Sequence, residues 1–193
     1  MHRALVRVLI ACTAVLLARP AVAQQSPGVE LGIDGAITHR MDEPRLTVVQ
    51  IPVASVRAGF FLSPAISFEP ALGLVHASEE GSYTTTDLTL GLLYHFRSNR
   101  SAPQPYVRPF VEVAHTSNTI VTVSLADGSS SSRSDTFSTT ATTLGAGLGI
   151  KLPIDRHFAA RFEGNFGRTL EHQSIPAANE LGFLFGFSFF TGH

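Results

Sequence analysis

The sequence has no tryptophan, three tyrosines and a single cysteine among its 193 residues. That cysteine, Cys12, lies in an apolar run near the N-terminus, so the rest of the chain can form neither a disulfide nor a cysteine metal site. Charge is scarce as well: charged residues make up 15%, where ordinary soluble proteins carry about 25%. The formal net charge of −1 leaves no basic footprint for a nucleic-acid partner. No apolar run reaches the roughly 20 residues of a membrane-spanning helix. No segment from Gln24 onward keeps a helical period either, so any insertion into a membrane must use strands.

The N-terminus reads as an export signal. Arg3 and Arg7 precede the apolar run Val8 to Ala18, and Ala21-Val22-Ala23 before Gln24 forms a small-residue cleavage site. Cleavage is expected after Ala23, with residues 1–23 removed and 24–193 forming one domain. Leu9-Ile10-Ala11-Cys12 also matches a lipoprotein-type box. Only the four apolar residues Val8 to Ala11 separate Arg7 from that cleavage point, fewer than the roughly 7 to 15 of a signal's apolar region.

What the chain does contain is glycine, serine, threonine, phenylalanine and period-two alternation. Val29, Leu31, Ile33 and Ile37 alternate with Glu30, Gly32, Asp34 and Thr38. The alternation predicts eight strands: 29–38, 46–60, 65–75, 83–96, 105–117, 137–152, 158–170 and 180–191. Links after even strands are short and proline-marked, whereas links after odd strands are longer and polar. The longest, Asn118 to Thr136, is expected to be a mobile loop. Such asymmetry fits a meander with short turns at one end and long loops at the other. The charged face is rich in glycine and alanine, and the opposite face is rich in phenylalanine, most plainly in Phe183, Phe185, Phe187 and Phe189. Lipid suits the phenylalanine face, and a narrow lumen suits small residues interleaved with long charged ones. The fold expected is all-β, an eight-stranded antiparallel up-and-down transmembrane β-barrel.

With Ile51-Pro52-Val53, Arg57-Ala58-Gly59-Phe60, Gly145 to Pro153, Arg161-Phe162-Glu163 and the closing aromatic strand, the chain resembles the small bacterial outer-membrane β-barrel domains. Its layout is similar to the transmembrane domain of OmpA-type proteins. The resemblance implies a barrel in the bacterial outer membrane, both chain ends on the periplasmic side, and insertion guided by the last strand. It also implies outer-membrane lipid, lipopolysaccharide and the barrel-assembly machinery as partners, and a monomer. Two features depart from the family. The chain runs past Phe190 with Thr191-Gly192-His193, and an aromatic girdle would be built mostly of phenylalanine. No peptidoglycan-binding domain is expected after the barrel.

On the polar face, Arg57, Glu69, Arg108, Glu112, Lys151, Arg161 and Glu163 are expected to form a charge network, together with Glu30, Asp34 and Asp87. The phase of the second strand is ambiguous, so the side taken by Arg57 is the open point. Opposite charges in so narrow a lumen should pair. The expected role is therefore structural or surface-interacting, with the lumen closed by salt bridges. A small or gated porin-like channel through the same network is an alternative, and a soluble periplasmic lipocalin-like ligand-binding barrel is another. An enzyme is not expected. The one candidate segment, His115-Thr116-Ser117-Asn118, looks like the catalytic tetrad of lipid A 3-O-deacylases, and a spacing of two puts His115 and Ser117 on one strand face. No acid stands ready to orient the histidine, since Asp127 and Asp135 fall in the long loop. The histidines show no ligand spacing, and no cofactor or metal is expected.

Overall fold

The computed structural model describes residues 28–43, 45–78, 81–97, 101–126, 129–171 and 175–191. The signal segment, Cys12 and Asp127 lie outside the described residues. The alternation folds into eight strands: β1 (Val29–Arg40), β2 (Leu46–Phe61), β3 (Ile66–Ser78), β4 (Gly81–His95), β5 (Gln104–Ala126), β6 (Ser129–Pro153), β7 (Phe158–Thr169) and β8 (Ala178–Phe190). Each pairs antiparallel with the next, and β1 pairs with β8 to close the barrel. Among the described residues no helix is long and apolar enough to cross a membrane.

The two faces separate as the pleat requires. Leu31, Ile33, Leu72, Leu74, Leu148, Phe162, Phe166, Phe183 and Phe187 lie on the outside, whereas Glu30, Asp34, Arg57, Glu69, Lys151, Arg161 and Glu163 are buried within. The inward glycines make room for long side chains on neighbouring strands. A Cβ on Gly32 would strike the Arg57 guanidinium, one on Gly147 the Glu163 carboxylate, and one on Gly149 the Tyr106 ring.

Two features differ from the sequence expectation. The segment Asn118 to Thr136 is not a loop in its described part: β5 and β6 continue through it as a hairpin, registered from Asn118↔Phe137 to Ala126↔Ser129. Strands of 23 and 25 residues exceed the roughly 9 to 11 needed to span a bilayer, so the hairpin stands well clear of the membrane. The second feature is the phase slip in β2. Asp34 faces Ser55 but Ala36 faces Gln50, so residues 51–54 form a wide bulge. Below it, the phase turns Arg57 inward; above it, the phase turns Gln50 inward. The same bulge ends the ladder to β3 at Ser55↔Gly73, and Pro52 within it has no N–H to offer a neighbour.

At the opposite end the turns are short. In the β6–β7 turn, Asp155 Oδ1 accepts the backbone N–H groups of His157 and Phe158 at 2.6 and 2.8 Å, which holds that carboxyl below the usual carboxylate range.

The tight inner packing gives a direct test. Gly149→Val would drive a side chain into Tyr106 and the Phe162 carbonyl and should destabilise the barrel by about 1–3 kcal/mol. Gly164→Ala, on the outside with nothing within 4 Å, should stay within about 0.5 kcal/mol of the parent. Urea unfolding of both variants in lipid vesicles checks this; equal shifts would mean that inside and outside have been reversed.

Candidate functional site: the lumen network

The bottom half of the lumen is filled by one chain of alternating charges. Lys151 of β6 puts Nζ 2.5 Å from Glu30 Oε2 of β1. Arg57 of β2 takes Glu30 Oε1 at 2.6 Å, Asp34 at 2.8 Å and Glu69 of β3 at 3.2 Å. Arg161 of β7 bridges Glu69 at 2.8 Å and Glu163 at 2.7 Å. Arg108 of β5 closes the chain on Glu163 Oε1 at 2.5 Å.

Three uncharged groups fill the remaining valences. Tyr106 donates its hydroxyl to Glu163 Oε2 at 2.8 Å and accepts Arg161 Nε–H at 2.7 Å. Ser188 of β8 accepts from Arg57 Nη2 at 2.6 Å. His95 of β4 sits 3.4 Å from Lys151 Nζ and stacks on Phe61 at 5.6 Å. Every strand of the barrel thus contributes a group. Arg161, Lys151, Glu30, Glu69 and Glu163 are each 1% exposed, 2% exposed or less.

The geometry joins Arg57, Glu69, Arg108, Lys151, Arg161 and Glu163 with Glu30 and Asp34. Asp87 lines the cavity above the chain instead, and Glu112 is the second exception. It accepts from Thr89 Oγ1 at 3.3 Å and stands in no ion pair among the described residues, because it lies a level higher, beside a cavity rather than within the plug. Tyr106, Ser188 and His95 were not anticipated. The parity that pointed Arg108 inward carries Tyr106 inward too, so that signal was present.

Above the network lies a cavity of about 160 Å³, lined by Asp34, Gln50, Asp87, Glu112, Asn165 and Glu180 among others. It holds on the order of five waters by their liquid volume, and the network floors it.

His115 and Ser117 face outward on β5. His115 Nδ1 lies 3.0 Å from Thr140 Oγ1 on β6, a hydroxyl rather than a carboxylate. Asp135 is a strand residue of β6, registered with Ile120 and paired with Arg133 at 3.0 Å. Among the described residues no cluster of histidine and carboxylate groups could hold a metal ion.

The network's cooperation is measurable. Arg161→Met leaves Glu69 and Glu163 short of a partner and should cost about 3–5 kcal/mol in urea unfolding. Adding Glu69→Gln should restore part of that loss, giving a coupling energy above about 1 kcal/mol. Strict additivity would show that the two groups do not act together.

A family model described as outer membrane protein beta-barrel domain matches residues 8–189. Among solved structures, neisserial surface protein A (NspA) aligns at 11% identity over 84% of this chain and 96% of its own, with a TM-score of 0.56. Ail, the attachment invasion locus protein of Yersinia pestis, aligns at 12% over 86% of this chain and 99% of its own, with a TM-score of 0.51. These likenesses concern the fold. No curated protein matches the sequence.

Proposed function

Since the chain belongs to the outer-membrane protein β-barrel domain family, we propose that it is a closed barrel serving a structural and surface-interaction role, with its long β5–β6 hairpin held out from the cell. The observation that carries this reading is the plug. The charge chain Lys151–Glu30–Arg57–Glu69–Arg161–Glu163–Arg108 crosses the lumen without a gap in its bonding. Passage of an ion would require several buried pairs to part at once, each leaving a charge uncompensated.

In this reading residues 1–23 are removed on export, and the barrel is inserted by the assembly machinery as a monomer among outer-membrane lipid and lipopolysaccharide. The hairpin supplies the contact surface. Beyond Thr143 β6 is no longer registered with β7, although the Leu170 N–H still reaches the Thr142 carbonyl at 2.8 Å, so among the described residues Ser129 to Ala141 offers a strand edge without a second neighbour, outside the membrane. His115 and Ser117 act as interfacial polar residues rather than a nucleophile and its base. The Thr140 hydroxyl occupies the position where a triad would need a carboxylate.

Planar-bilayer recording tests the closed lumen. Protein shown to be inserted by heat-modifiable gel mobility should give no discrete conductance steps. Arg161→Ala, which removes the central cation, should give small steps if the barrel survives. Steps from the parent protein would sink the plugged reading and make the chain a small porin.

A further inference from the structure

The outer rim of the barrel carries a pattern that the plug does not explain. On each strand that rises toward the long loops, the outward apolar row stops at one basic side chain. Ile37 is followed by His39 on β1, Leu74 by His76 on β3, Val113 by His115 on β5 and Phe166 by Arg168 on β7. Each stands directly across its hairpin from a small polar residue, in the registers His39↔Thr47, His76↔Thr84, His115↔Thr140 and Arg168↔Asn179. Each is also bonded to it. The histidine Nδ1 atoms lie 2.9, 2.8 and 3.0 Å from the threonine hydroxyls, and Arg168 Nη1 donates to Asn179 Oδ1 at 3.3 Å.

We propose that these four residues form a collar that binds phosphate groups of the glycolipid in the outer leaflet, an inference that rests on the outer-membrane reading above. The first reason is height. The collar begins where the apolar belt ends, at head-group level. The second is donor geometry. With the threonine hydroxyl as the donor to Nδ1, the ring proton lies on Nε2 and leaves that nitrogen a donor, the group a phosphate oxygen needs.

The third reason is the contrast with the other rim. There the exposed ring is aromatic: Phe60, Tyr94, Phe96, Phe158 and Phe189, with Tyr94 edge-on to Phe96 at 5.4 Å and Phe158 tilted against Phe189 at 5.1 Å. Residues serving merely as an interface belt would be aromatic at both rims. At that rim the exposed basic residues Arg97 and Arg156 lie in the turns, whereas at the outer rim the strand rows themselves end on His39, His76, His115 and Arg168, as a membrane with phosphorylated glycolipid on one side alone would select.

No described carboxylate forms an ion pair with any of the four collar residues. Asp42 accepts from the Asn179 N–H and Nδ2 at 2.5 and 3.1 Å, Glu43 pairs with Arg45 at 3.8 Å and Asp135 pairs with Arg133 at 3.0 Å. Glu180 lines the lumen cavity, beside Thr169 at 3.4 Å. Glu171, exposed above Leu170, and Arg40, beside His39, form no ion pair among the described residues.

The test uses the full mature barrel refolded in detergent, mixed with bis-phosphorylated lipid A, with the same lipid stripped of phosphate, or with phosphatidylglycerol, and read by native mass spectrometry. The parent should retain phosphorylated lipid A at least about tenfold better than the other two. The variant carrying His39→Gln, His76→Gln, His115→Gln and Arg168→Gln should lose that preference while keeping heat-modifiable mobility, because glutamine can still bond the threonines. Each single histidine variant should lose part of it. Equal retention by parent and variants, or indifference to phosphate, overturns the collar. Equal retention of phosphatidylglycerol overturns the choice of glycolipid. A chain with no heat-modifiable band in any lipid would instead sink the outer-membrane reading.

Discussion

In hydrocarbon an unpaired backbone amide costs several kcal/mol, and no water is present to relieve it. A sheet can meet that demand only by closing on itself, which is why β1 must find β8. Closure at eight strands fixes a bore just wide enough for side chains. Everything inside then follows from competition for a small volume. The glycines at 32, 147 and 149 exist because Arg57, Glu163 and Tyr106 lie across them. The charges alternate in sign because no counter-ion of ordinary size would fit between them. Removing any one member strands its neighbours, so the network reports a specific lumen arrangement more than a large net gain in stability.

The same constraint sorts what could be read from the sequence. Strand number and the inside-outside division were legible because alternation is enforced at every position facing lipid. Most of the charge chain was legible for the same reason. The side taken by Arg57 was not, since the bulge at 51–54 reverses the parity of β2, and a bulge is a decision of the backbone with only Pro52 to announce it. The β5–β6 hairpin was misread as a loop because its serines and glycine carry turn chemistry. The alternating Ile120-Val121-Thr122-Val123 within it is a strand signal that the polar setting masked. Glu112 shares the inward parity of Arg108, but parity says nothing of height along the bore. Ion pairing depends on height.

Height also divides the lumen electrically. Below, Glu30, Asp34, Glu69 and Glu163 meet Arg57, Arg108, Lys151 and Arg161, and the formal charge cancels. Above, Asp87, Glu112 and Glu180 line the cavity, and none of them stands in an ion pair among the described residues. The cavity that they line has room for water, which eases the burial of carboxyl groups that have no cationic partner. The plug occupies the half of the bore nearest the short turns.

That division bears on the β2–β3 seam, which is the shortest in the barrel. Its register runs from Phe61↔Ser67 to Ser55↔Gly73 and skips Ala58 and Gly59, opposite the stretch holding Pro70, another residue without an N–H. Beyond Gly73 the described part of β3 pairs with β4 alone. At the level of the plug the seam gives up only the positions opposite Glu69 and Pro70. At the level of the cavity, where Gln50, Ala54 and Ser55 line the inner wall, water in the lumen can reach the unpaired edge of β2 from within. The bulge is tolerated because it lies beside the cavity, and toward the plug the ladder resumes at Ser55↔Gly73 with a single interruption opposite Pro70.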